Sequence, residues 1–137
     1  MKILLAYVPS ATSEAAFEYA VAEARSKGAE LVVLASESTT SGVSKAHGVT
    51  DTRPLSERLA ETGVPHDLRI VPRRDDPADD IIAVAQDEHM DLLVLGIRKR
   101  TPIGKILLGS TSQRVVMEVP CPVVLVKPKD FVPRARI

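Results

Sequence analysis

The stretch DLLVLGIRKRTPIGKILLGSTSQRVVMEVPCPVVLVK, from Asp91 to Lys127, decides the architecture. It opens on LLVLG, Leu92 to Gly96, an unbroken apolar run. Such continuity marks a strand buried on both faces, as in a parallel sheet covered by helices. A basic loop follows, with Arg98, Lys99, Arg100 and Lys105. The pattern then turns helical from about Ser110 to Glu118 and is halted by Pro120 and Pro122. Val123 to Val126, VVLV, is a second unbroken apolar run. Strand, helix, strand with short joints is the unit of an α/β fold.

The same alternation extends towards the N-terminus. Ile3 to Val8, Leu31 to Ala35 and Asp67 to Val71 read as strands, making five with the two above. Ser13 to Lys27 is helical by its three- and four-residue spacing of Ala16, Tyr19, Ala20, Glu23 and Ala24, and it stops at Gly28. Arg53 to Thr62 sets Leu55 and Leu59 four apart and stops at Gly63. A third helix begins in DDPADDIIAVAQDEH, with Asp76 as N-cap and Pro77 at the first helical position. Asp79 and Asp80 then fall in the first turn, where the helix dipole favours negative charge. Capping thus accounts for this aspartate cluster without a metal ion. Repeated crossovers of this kind are right-handed and give a parallel sheet with helices on both faces.

The composition narrows the functional classes. The 137 residues carry 18 Lys+Arg and 18 Asp+Glu, so the formal net charge is zero. A general polyanion binder advertises a basic excess, and single-strand nucleic-acid platforms need aromatics. This chain has two Tyr, two Phe and no Trp. Neither a nucleic-acid partner nor a membrane partner is expected, because no apolar stretch approaches the length of a membrane span. A single cysteine, Cys121, permits no intramolecular disulfide, and a cytoplasmic location is the expectation. Its surroundings offer nothing to lower the thiol pKa, so it reads as structural. His47, His66 and His89 show no metal-ligand or acid–base spacing. Residues 36–52 form a long Ser/Thr/Gly-rich connection, and the last residues, PKDFVPRARI, form a basic, proline-containing tail.

In an open parallel sheet, ligands bind at the carboxyl ends of the strands where the strand order reverses. The segment after Gly96 has the composition of an anion cradle. Arg98 and Lys99 supply charge, Gly109 permits close backbone approach, and Ser110, Thr111 and Ser112 stand where helix amides attract phosphate.

From Asp76 through Lys127 the chain resembles the second half of a universal stress protein domain, and its first helix, with Ser13, Ala16 and Ala20, is similar to that family's opening helix. Nucleotide-binding members of that family carry Gly, two residues, Gly, nine residues, then Gly and Ser or Thr. Gly96, the nine residues Arg100 to Leu108, and Gly109-Ser110 match this signature. Lys99 stands in place of the second glycine, and Gly104 comes five residues too late to replace it. The family's Asp-Gly-Ser-like triplet after the first strand falls here on Val8-Pro9-Ser10, so its carboxylate is missing.

The resemblance implies a doubly wound, five-stranded parallel sheet in the order 3-2-1-4-5, of the adenine-nucleotide α-hydrolase-like type. The domain would span residues 1–128, with a tail at 129–137. It implies a stress-response regulatory or protective protein that binds ATP or another adenine nucleotide, and with no paired carboxylates or positioned base near the loop an enzyme is not expected. Gly96, Arg98, Lys99, Gly109, Ser110, Thr111 and Ser112 would line the phosphate side, and Tyr7 and Val8 the nucleoside side. The departures at Val8 and Lys99 count against ATP. The alternatives are a dimerisation or protein-interaction module that binds no nucleotide, and a weak ATP hydrolase. The resemblance also implies a homodimer through the last strand, Val123, Val124, Leu125 and Val126, whose uncharged edge invites pairing.

Overall fold

Strand β1 (Lys2–Tyr7) sets the frame, because its side chains divide cleanly between two interiors. Ile3, Leu5 and Tyr7 enter one apolar cluster, and Leu4 and Ala6 enter the other. This period of two, with both sets buried, is what the unbroken apolar run implies. The computed structural model describes residues 1–7, 11–36, 53–72, 77–97 and 109–128. The remaining elements are α1 (Ala11–Lys27), β2 (Glu30–Ser36), α2 (Leu55–Thr62), β3 (His66–Val71), α3 (Ala78–Asp87), β4 (Leu92–Gly96), α4 (Ser110–Glu118) and β5 (Val123–Val126).

The strands form one sheet in the order β3-β2-β1-β4-β5, with every pairing parallel. Tyr7 pairs in register with Ala35 of β2, and Ala6 with Leu95 of β4. The fold class and strand order are those expected from the sequence.

One face is covered by α1 and α2, which contribute Ala16, Phe17, Ala20, Val21, Ala24, Leu55 and Leu59 to the cluster. Ala16, Ala20 and Ala24 recur every four residues and are essentially inaccessible to solvent. Their small side chains let α1 lie close against β1 and β4. The other face is covered by α3 and α4, through Ala78, Ile81, Ile82, Ala85 and Val115.

Helix boundaries follow local chemistry. Helix α2 begins at Leu55 rather than Arg53, because Pro54 sits at φ −54°, ψ 141° and disfavours helical geometry at the residue before it. The residue flanking α3 is Pro77, at φ −68°, ψ −9°. Asp76, expected as the cap, lies outside the described residues, as does Val8, expected to close the first strand. Helix α1 ends as anticipated at Gly28, whose φ of 63° suits a residue without Cβ. The Ala29 amide there reaches back to the Ala24 carbonyl at 2.9 Å. The end of α3 uses the same backbone turn, with Met90 N donating to Ala85 O at 3.3 Å, but places His89 at φ 51°.

The two sheet edges differ in chemistry. Edge strand β3 carries His66, Asp67 and Arg69. Arg69 donates to Asp67 at 2.9 Å and to Glu88 beyond α3 at 2.6 Å. Edge strand β5 is VVLV, half-buried throughout. The amides of Leu93 and Ile97 donate to the carbonyls of Pro122 and Val126. Alternate residues of β5 therefore face β4, and the backbone groups of Val123 and Leu125 face the open edge.

Candidate functional site

The reversal in strand order falls between β1 and β4, since β2 and β3 build outward on one side and β5 on the other. Carboxyl ends of these neighbours, at Tyr7 and Gly96, frame the crevice where such sheets take ligands. Gly96 is half-buried, and the following Ile97 is buried with its amide bonded to Val126 O at 3.0 Å.

Helix α4 opens on Gly109, whose carbonyl accepts the first intrahelical bond from the Gln113 amide at 2.9 Å. The amides of residues 110–112 precede that bond and form the positive end of the helix. Gly109 has φ −66° and ψ 166°, a conformation open to any residue. A need for glycine there would be one of space. Ser110 is exposed, and Thr111 and Ser112 are half-buried.

The first turns of the four described helices are not alike. Glu14 stands in the first turn of α1, Glu57 in that of α2, and Asp79 and Asp80 in that of α3. The first turn of α4 carries no acidic residue. Three helices thus have an internal anion at their positive end, while the fourth offers hydroxyls. That donor set fits a phosphate group.

Tyr7 takes a different position from the one its place in the sequence suggests. Its side chain runs into the α1/α2 face, where it is 2% exposed. The Tyr7 hydroxyl donates to Glu14 Oε1 at 2.6 Å and accepts from Arg58 Nη1 at 3.3 Å. Arg58, on α2, also forks onto Glu14, with Nη1 to Oε1 at 2.9 Å and Nη2 to Oε2 at 2.5 Å. The guanidinium lies 4.6 Å from the centre of the Phe17 ring, which meets Tyr7 edge-on at 6.3 Å. Burial, reinforced by the Glu14 carboxylate, pushes the Tyr7 hydroxyl pKa well above its ordinary value. Burial alone would lower the Arg58 pKa, but its bonds to Glu14 outweigh that and raise it.

Sequence reading singled out neither Glu14 nor Arg58. The available signal was Arg58 itself, which lies three residues after Leu55 and beside Leu59, on the buried face of α2. Gly109, Ser110, Thr111 and Ser112 lie together at the start of α4, while Gly96 ends β4. Val8, Arg98 and Lys99 lie outside the described residues. Cys121 is half-buried beneath the α3/α4 face, and burial raises its thiol pKa. Among the described residues no group of His, Cys, Asp or Glu is arranged to hold a metal ion. No described helix is long and apolar enough to cross a membrane.

Comparison with known proteins agrees with this architecture. Residues 1–127 match the model of the universal stress protein family. A universal stress protein of Mycolicibacterium smegmatis is 32% identical over 130 residues, covering 94% of this chain and 99% of its own length. The solved structure of a universal stress protein from Archaeoglobus fulgidus superposes with a TM-score of 0.70 at 27% identity, covering 93% of this chain and 98% of that one. Another structure, of the Archaeoglobus fulgidus universal stress protein in complex with dAMP, gives a TM-score of 0.63 at 23% identity, covering 93% and 98%. The chain belongs to the universal stress protein family.

Proposed function

We propose that this protein is a non-enzymatic, cytoplasmic stress-response protein that binds an adenine nucleotide in the crevice between the carboxyl ends of β1 and β4. The observation that carries the reading is the acid-free first turn of α4, reached from β4 at the strand-order reversal. Phosphate oxygens would meet the amides and hydroxyls of Ser110, Thr111 and Ser112, with Gly96 and Gly109 allowing close approach and Arg98 and Lys99 adding charge. The nucleoside would lie near Val8, above the buried ring of Tyr7. The dAMP complex of the Archaeoglobus relative supports an adenine nucleotide as the ligand class. With valine at position 8 no carboxylate is available there, which favours a mono- or diphosphate over tightly held ATP.

Calorimetry of nucleotide-stripped protein against AMP, ADP, ATP and cyclic AMP, with and without Mg²⁺, tests this. Heat with at least one of them, abolished by Gly109→Val, is expected. Silence with all four at tens of micromolar protein overturns the reading, and binding that survives Gly109→Val relocates the site.

The apolar β5 edge favours a companion role as a dimerisation surface. An antiparallel pairing of β5 with its copy would make a homodimer by two-fold symmetry.

A further inference from the structure

The Tyr7–Glu14–Arg58 cluster is an expensive way to fill space. Arg58 is 7% exposed and Glu14 15%. Withdrawing two charges from water costs several kcal/mol per ion, and their attraction often does no more than restore it. The rest of this face is filled by Leu55, Leu59, Val21 and Phe17, so an apolar solution was open to the chain. What the charged solution adds is direction. The Arg58 fork reaches both carboxylate oxygens, and the Tyr7 hydroxyl closes a ring of hydrogen bonds with the same two side chains. Leucines slide over one another, whereas this ring holds one geometry.

Its placement is specific. Tyr7 is the last residue of β1, Glu14 lies in the first turn of α1, and Arg58 lies in the first turn of α2. The chain between β1 and α1 is residues 8–10, so Tyr7 and Glu14 bracket that link from either end. Arg58 ties both brackets to a helix 44 residues further along. Glu14 also occupies the positive end of α1, where a carboxylate is favoured and where an external anion would otherwise be drawn.

We infer that Arg58 is a positioning residue: through Glu14 and Tyr7 it fixes where the chain leaves β1 and enters α1, and thereby pre-organises the nucleoside side of the crevice. This rests on the nucleotide-binding reading for its consequence, but the clamp is measurable without ligand. Preorganisation of this kind raises affinity by reducing the ordering that binding must complete.

The decisive variant is the double replacement Glu14→Leu/Arg58→Leu, which removes both charges and leaves an apolar pair. A residue that merely fills the core is replaced by this pair without effect on the site. A positioning residue is not. Amide hydrogen exchange of the free protein is expected to quicken about tenfold in residues 7–18 and to stay unchanged in α3 and β4. AMP affinity is expected to fall about tenfold, and the melting temperature falls by a few degrees because the buried Tyr7 hydroxyl loses both of its partners. Unaltered exchange in residues 7–18, or unaltered AMP affinity, overturns the inference. Should the double variant fail to fold, Tyr7→Phe and Arg58→Lys take its place. Each weakens the ring without emptying it and is expected to move exchange and affinity in the same direction by a smaller factor. Parent protein that binds no adenine nucleotide overturns the binding reading and this consequence of it. The exchange measurement still decides the clamp.

Discussion

Replacing Leu125 by proline tests the open edge of the sheet directly. The Leu125 amide faces away from β4, because the β4 amides of Leu93 and Ile97 are received by Pro122 and Val126. Proline at 125 therefore removes no hydrogen bond within the chain, but deletes a donor offered to a neighbour. In a two-fold dimer each protomer loses that donor, so every dimer loses two bonds. At about 0.5–1.5 kcal/mol each, the loss is about 1–3 kcal/mol, a weakening of about 5- to 150-fold in the dimer Kd. The side chain must be controlled for, since Leu125 also packs against the α3/α4 interior. Leu125→Ala keeps the donor and loses most of the side chain, so the comparison between the two variants isolates the backbone bond. Sedimentation equilibrium over a concentration series reads both constants. Dimerisation equally tight in Leu125→Pro and Leu125→Ala refutes the assignment of this edge. A parent protein that stays monomeric at high concentration refutes the dimer altogether.

Three further outcomes are expected. Tyr7→Phe removes a buried bond to a carboxylate and costs about 1.5–3 kcal/mol at neutral pH. The folded protein holds the Tyr7 proton more tightly than the unfolded chain, so parental stability falls as pH rises above about 10, by up to about 1.4 kcal/mol per unit. Urea titrations from pH 8 to 11 should show a shallower alkaline decline in Tyr7→Phe, and parallel declines would contradict the buried placement. Glu88 titrates below its ordinary value, chiefly through its hydrogen bonds to Arg69, so its contribution is present at neutral pH and lost as pH falls through the carboxylate range. Glu88→Gln should cost no more than about 1 kcal/mol at pH 7 and flatten the loss of stability between pH 5 and 3, because the pair is partly exposed. His89→Gly relieves a side chain at φ 51° and should stabilise by about 1 kcal/mol, raising the melting temperature by about 3–5 °C. A lower melting temperature for that variant would mean the imidazole makes a contact that outweighs the backbone strain.

Legibility in the sequence followed the range of the interactions. LLVLG and VVLV declare themselves because both faces of β4 and the inner flanks of β5 are apolar, and their boundaries match the expected ones residue for residue. Helix α4 was legible for the same local reason, with prolines just beyond its end. The leucine spacing alone starts α2 two residues early, at Arg53, because that spacing does not carry the restriction Pro54 imposes on the residue before it. The Arg58–Glu14 pair lay beyond local reading altogether. A charge on a helix is most often solvated, and only the meeting of α1 and α2 over β1 turns these two inward. The position of Tyr7 at the end of β1 is legible locally, while the direction of its side chain depends on which face each strand residue takes.

The alanines of α1 have a consequence of a mechanical kind. Ala16, Ala20 and Ala24 set the standing height of that helix above β1 and β4, the two strands whose ends frame the crevice. A larger side chain at any of the three acts as a shim, at Ala16 under the end of the rod that carries Glu14 and at Ala24 towards the opposite end. The mouth of the crevice would widen or narrow with the thickness inserted, though no altered atom touched a ligand. The shape of the sheet's carboxyl end is thus adjustable from inside the protein, one methylene at a time.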